Sequence, residues 1–131
     1  MQISSIVAIK TRVLPNVLNL ANNNCLKVEI DGRSIKYWKD YGKKIANLLD
    51  FPEGDRYINY DAFLDWMTDL KWISQRNIII IINNYDELLE DDLKEKENFL
   101  DIMRIIIEYW NGELFNNTGA HKILTFYLVT E

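Results

Sequence analysis

The run Ile78 to Ile82 constrains this chain more than any other stretch. Five consecutive isoleucines, bounded by Asn77 and Asn83, stiffen the backbone toward an extended strand and leave neither face polar. Such a strand needs apolar cover on both sides, the pattern of a central strand in a parallel sheet. At five residues it falls far short of the ~20 needed to cross a bilayer. The remaining segments must therefore supply sheet neighbours and helices to pack on them.

They read accordingly. Ser4 to Leu14 is rich in β-branched residues and predicts a strand ended by Pro15. Asn16 to Asn24 carries five asparagines and predicts a turn-prone segment. Leu26 to Ile30 alternates apolar and charged residues, and Asp31-Gly32 closes it as a turn. Ser34 stands where a helix N-cap belongs, and Ile35, Trp38, Ile45, Leu48 and Leu49 recur at helical spacing up to Pro52. A second helix is predicted from Asn59 or Tyr60 to Leu70. Asp86 to Glu97 is acidic and predicts a short helix with a solvated loop. Phe99 to Trp110 predicts a long helix with Phe99, Ile102, Met103, Ile106 and Tyr109 or Trp110 inward. Asn111 to His121 reads as an irregular connection and Ile123 to Val129 as the last strand. Strands alternating with helices imply crossover connections, parallel pairing and an α/β layer architecture.

Composition bounds the function. The chain has 131 residues, with 15 Lys and Arg against 20 Asp and Glu, for a net charge of −5. An apolar fraction of 48 % builds one packed core, and the length leaves no room for a second. The acidic balance speaks against unaided nucleic-acid binding and suits a basic partner. Cys25 is the single cysteine, which excludes an internal disulfide and a cysteine metal cluster; a small buried apolar role is expected of it. Met1 to Ala8 has no basic flank leading into an apolar stretch, so no secretory signal is read there and a cytoplasmic location is expected.

The helix after Asn59 carries the most informative pattern. With Asp61 at zero on a helical wheel, Asp65 falls at about 40° and Asp69 at about 80°. Ala62, Phe63, Trp66, Met67 and Leu70 lie opposite, while Leu64 and Thr68 flank the acidic row. Each pair of carboxylates four apart costs roughly 0.2–0.5 kcal/mol of helix stability. Asp61 recovers some of this at the positive helix N-terminus; Asp69 does not. No Lys or Arg stands four residues further on to relieve the row. A solvated face is one reading of it; a recognition surface for a cationic pocket is the other.

The segment Ile30-Asp31-Gly32, the helix ending Leu49-Asp50-Phe51-Pro52, and Asn59-Tyr60-Asp61-Ala62-Phe63-Leu64-Asp65 together resemble the barstar family of intracellular ribonuclease inhibitors. The resemblance continues more weakly through the isoleucine strand, the helix from Phe99 to Arg104 and the last strand. It implies a small three-layer fold with a three-stranded parallel sheet packed with helices over 26–131, preceded by an extension over 1–25. A strand on the sheet edge is the expected role of that extension, and a second interface is the other one. The resemblance also implies a non-catalytic immunity protein that binds a basic, secreted or contact-delivered bacterial ribonuclease toxin domain as a 1:1 complex. Its acidic helix would occupy the cleft that holds RNA phosphates. Asn59, Asp61 and Asp65 are carried over by motif, with Leu64 and Thr68 at neighbouring contact positions. Tyr60, Asp69 and Trp72 complete the candidate partner-binding set, Trp72 as an interface aromatic.

The chain departs from the family in places. Asp55-Arg56-Tyr57 stands where many relatives have Tyr-Tyr-Gly, and Leu64 where a tryptophan is found. Ile105 aligns with the acidic residue that the last long helix gives to the interface, so Asp101 or Glu108 would have to replace it. These mismatches imply a related inhibitor aimed at a different toxin.

Two other function classes are carried. One is a small acidic enzyme or phosphoryl receiver, with Asp31, Asp86 and Glu87 at strand ends. The other is an acidic adaptor for a basic protein unrelated to nucleases. His121, the only histidine, is expected in an exposed loop and not as a catalyst. Glycine-rich phosphate loops and nucleophile elbows are lacking, and no cofactor or metal is implied.

Overall fold

The computed structural model describes residues 3–20, 24–56, 58–112 and 121–131. Its four strands are β1 (Ser5–Lys10), β2 (Cys25–Asp31), β3 (Asn77–Asn83) and β4 (Ile123–Thr130), and its helices are α1 (Leu14–Leu20), α2 (Trp38–Leu48), α3 (Tyr60–Met67) and α4 (Leu93–Trp110). The strands form one sheet in the order β1-β4-β3-β2, parallel at every pairing. Three of them are those expected from the family resemblance. The fourth, β1, adds to the edge of β4, with Ile6 beside Phe126 and Ala8 beside Leu128.

The isoleucine run is β3, and it is covered on both sides. Ile78, Ile80 and Ile82 face the helical core, register with Leu26, Val28 and Ile30 of β2, and are fully buried. Ile81 points to the other face and is also fully buried, Ile79 on that face is half-buried, and Ile123 and Val129 of β4 are buried on that side. The helical face meets α2 through Tyr41, Ile45 and Ala46, α3 through Phe63 and Met67, and α4 through Phe99, Met103, Ile106 and Trp110. Rings of different helices lock edge to face: Tyr41 lies 4.5 Å from Phe99 at 79°, and Trp38 lies 5.3 Å from Phe63 at 83°. Each such pair adds roughly 0.5–1.5 kcal/mol to the burial of its area.

Several sequence expectations are corrected by the fold. The first strand stops at Lys10, not Leu14, and a 3-10 turn (Thr11–Val13) leads into α1. Pro15 sits in the first turn of that helix, where its missing N–H would have no partner anyway, so it opens a helix and does not merely end a strand. Asn16 and Asn19 are helical despite their turn preference. Ser34 caps no helix. It belongs to a 3-10 turn (Gly32–Ser34), and its hydroxyl donates to the Asp31 carbonyl at 2.7 Å. The start of α2 shifts to Trp38 because Asp40 Oδ2 accepts the N–H groups of Lys36 (3.1 Å) and Tyr37 (3.0 Å). The last long helix starts earlier than expected, at Leu93, with the Asp92 carboxylate accepting from Glu95 N at 3.0 Å. His121 is 5 % exposed, not a solvated loop residue; burial and the nearby Arg76 charge lower its pKa. Cys25 is half-buried at the start of β2. The expected irregular connection after Asn111 lies largely outside the described residues. No helix among the described residues is long and apolar enough to cross a membrane.

Candidate functional site: the acidic face of α3

The start of α3 is set by Asn59, whose side-chain oxygen accepts the Ala62 N–H at 2.8 Å. This is the N-cap chemistry that makes Asn, Asp, Ser and Thr frequent at helix starts. The loop bringing Asn59 there leans on α2, where Gly42 provides the room. A Cβ on Gly42 would lie 2.7 Å from Ile58 Cγ2 and 2.9 Å from the Trp38 ring. Tyr60 then lays its ring 4.3 Å from that of Trp38, and its hydroxyl donates to Glu95 in the first turn of α4.

The inner side of α3 is anchored by Phe63 and Met67, both fully buried, with Leu64 and Trp66 packed partly against the core. The outer side presents Asp61 and Asp65, both exposed. Neither carboxylate has a hydrogen-bond or ion-pair partner among the described residues, where the two salt bridges are Arg33–Asp31 and Arg104–Asp101. Two uncompensated carboxylates four residues apart on a rigid helix form a short negative stripe. Such a stripe attracts a cationic surface and repels an anionic one.

The third expected member of the row is displaced. The helix ends at Met67, not Leu70, and Thr68 Oγ1 turns back to donate to the Leu64 carbonyl at 2.7 Å. Asp69 lies in the following turn, half-buried, with its carboxylate accepting Lys71 N at 3.3 Å. The chain turns there because Leu70 adopts a left-handed backbone (φ 53°) that places its side chain, fully buried, in the core. That conformation is costly for a branched residue and holds only where packing over-determines it. Asp69 therefore adjoins the row from a turn instead of extending it along the helix.

Trp72 is also placed differently from a free aromatic. Its indole N–H donates to the Leu49 carbonyl at 2.8 Å, and its ring meets Phe51 at 5.8 Å and Trp66 at 5.6 Å, both edge to face. The half-buried ring leaves only one side to solvent. On α4, Asp101 pairs with Arg104 at 3.2 Å, Ile105 is exposed and Glu108 is exposed. Sequence reasoning missed Glu95, because the hydroxyl that reaches it belongs to a residue 35 positions earlier and no local pattern links them.

The alternative strand-end carboxylates do not form a ligand set. Asp31 is clasped by Arg33 through N (3.0 Å), Nε (3.1 Å) and Nη2 (2.9 Å), and by Asn84 Nδ2 (2.9 Å). These bonds, the Arg33 side chain foremost, hold its carboxyl far below the usual carboxylate range. The strand ends also approach too closely to leave a cleft there, since a Cβ on Gly32 would lie 2.4 Å from the Asn84 carbonyl oxygen. Among the described residues no group of three or more His, Cys, Asp or Glu is arranged to hold a metal.

One comparison with known proteins gives a match. A family model described as Barstar (barnase inhibitor) matches residues 25–124, from the first residue of β2 into β4. No curated protein and no solved structure matches the chain.

Proposed function

The chain belongs to the barstar family, and from that premise we propose that it is an immunity protein that blocks a bacterial ribonuclease toxin by occupying its cationic cleft. The observation carrying this reading is the pair Asp61 and Asp65, exposed, unpaired among the described residues, and held on a helix whose other side is sealed into the core. A ribonuclease must concentrate positive charge where RNA phosphates bind. Carboxylates at fixed spacing can fill those subsites without being cleaved, so inhibition needs no chemistry from this chain.

In this reading Asn59 and Tyr60 form the leading edge of the contact, Leu64 and Thr68 border the carboxylates, and Asp69 and the exposed side of Trp72 close its far end. The complex is 1:1 and cytoplasmic, with no cofactor. Leu64 in place of a larger ring, and Ile105 in place of an acid, direct the surface to a toxin other than barnase.

The test is inhibition of a ribonuclease encoded beside this chain as the small basic C-terminal domain of a larger toxin. Equimolar chain should abolish RNA cleavage, and Asp65→Ala should restore it at the same concentration. Unchanged inhibition by Asp65→Ala would remove α3 from the mechanism.

A further inference from the structure

Leu93, exposed at 71 %, follows Asp92 in the chain; Asp92 and Tyr37, at 73 % the most exposed large apolar side chain among the described residues, line one groove. It has a volume of about 340 Å³ and is lined by Lys36, Tyr37, Leu89, Glu90, Asp91 and Asp92, between the start of α2 and the segment leading into α4. The Leu89 N–H donates to the Ile35 carbonyl at 3.0 Å and ties its two walls together. Leu89 is itself buried in a left-handed conformation (φ 52°), so the acidic residues after it are turned outward by the packing beneath them. Asp92 is committed to capping α4, whereas Glu90 and Asp91 are exposed and have no hydrogen-bond or ion-pair partner among the described residues.

The elements that wall this groove are tied to α3 through Tyr60. Trp38, next to Tyr37, carries the Tyr60 ring, and the Tyr60 hydroxyl reaches Glu95, two residues beyond Leu93. Tyr60 therefore joins the start of α3, where Asp61 follows it, to both α2 and α4. The exposed Tyr37 ring on a groove with an acidic rim suits an apolar anchor flanked by cations, the arrangement in which interface energy concentrates. Lys36 lies on the same rim and Lys96 interacts electrostatically with Glu90, which only partly offsets the charge of Glu90, Asp91 and Asp92.

We propose that this groove is a second docking surface, taking an apolar side chain flanked by Lys or Arg from the cationic ribonuclease partner, outside that partner's RNA-binding cleft. The identity of the partner rests on the reading given under Proposed function; the site itself rests on the groove. Contact there would add affinity and specificity without touching the nuclease active site.

The test uses the full ¹⁵N-labelled chain and two synthetic peptides of equal charge, one all arginine and one with leucines interleaved. The interleaved peptide should shift the amides of Tyr37 and of Leu89 to Leu93, and bind there on the order of tenfold more tightly than the all-arginine peptide. Tyr37→Ser combined with Leu93→Ser alters only exposed side chains; it should erase that difference and leave any shifts at Asp61 and Asp65 unchanged. Equal affinity for both peptides, or silent groove amides, would overturn the proposal. Concentration-dependent shifts in the same amides without peptide would also overturn it, assigning the groove to a second copy of the chain. Groove shifts with none at Asp61 and Asp65 would support the groove and count against the role of α3.

Discussion

The indole N–H of Trp110 donates to the main-chain oxygen of Met67 at 2.8 Å, joining the last residue of α4 to the last residue of α3. Both side chains are buried, so this bond ends the acidic helix at a fixed height above the sheet. Trp110→Phe keeps most of the ring and removes the donor, leaving a buried carbonyl unsatisfied. Its unfolding free energy in urea should fall by about 1–3 kcal/mol. A smaller change would show that the C-terminal end of α3 is held by packing alone.

Asp65 and Asp61 separate binding from stability. Asp65→Ala should weaken the complex with the ribonuclease by about 2–5 kcal/mol, the range for removing one member of a buried charge pair, with the melting temperature nearly unchanged. Asp61 lies in the first turn of α3, where a carboxylate meets the positive end of the helix. Asp61→Ala should therefore also cost about 0.3–1 kcal/mol of stability. Calorimetric titration beside thermal unfolding checks both.

The same charges should govern the association rate. With a net charge of −5 and unpaired carboxylates on α3, the rate constant for encounter with a cationic ribonuclease should fall steeply as salt rises, and dissociation should change little. Stopped-flow mixing over a range of ionic strength measures this directly. A salt-independent on-rate would count against electrostatic steering.

Gly32 tests how tightly the ends of β2 and β3 meet. Because a Cβ there would approach the Asn84 carbonyl oxygen to 2.4 Å and that of Asn83 to 2.9 Å, the backbone itself has to move. Gly32→Ala should lower stability by about 1–3 kcal/mol, the usual cost of overpacking. Chemical denaturation is the measurement, with the far-ultraviolet spectrum as the control for retained fold.

Asp31 gives the acid limb of the stability profile a specific origin. Its carboxyl is held below the unfolded value of 3.8 by the Arg33 side chain first, then by the Asn84 side chain and the Arg33 main chain. A folded value below the unfolded one means that the stabilisation is present above about pH 3.8 and is lost as pH falls from there through the folded value. Asp31→Asn should flatten that part of the profile and leave the slope near neutrality unaltered, as urea midpoints at successive pH values would show.

Much of this was legible from one dimension because the relevant forces are local or periodic. The β-branched run from Ile78 to Ile82 demanded cover on both faces, and the four-residue spacing of Asp61 and Asp65 against Phe63 and Met67 settled which side of α3 is wet. The start read at Asn59 or Tyr60 is where α3 begins. Each of these is a property of neighbours a few positions apart, so the amino-acid order alone determined it.

Tertiary contact decided the rest. α3 stops at Met67 because the core takes Leu70 in a left-handed backbone and Trp110 reaches over from α4, neither of which shows in the helical pattern running to Leu70. Trp72 turns its N–H inward to Leu49, 23 residues away, and Tyr60 joins two helices through Trp38 and Glu95. Periodicity reports which side of a segment prefers to be dry. It carries no information on where a partner distant in sequence will cut that segment short or claim its polar groups.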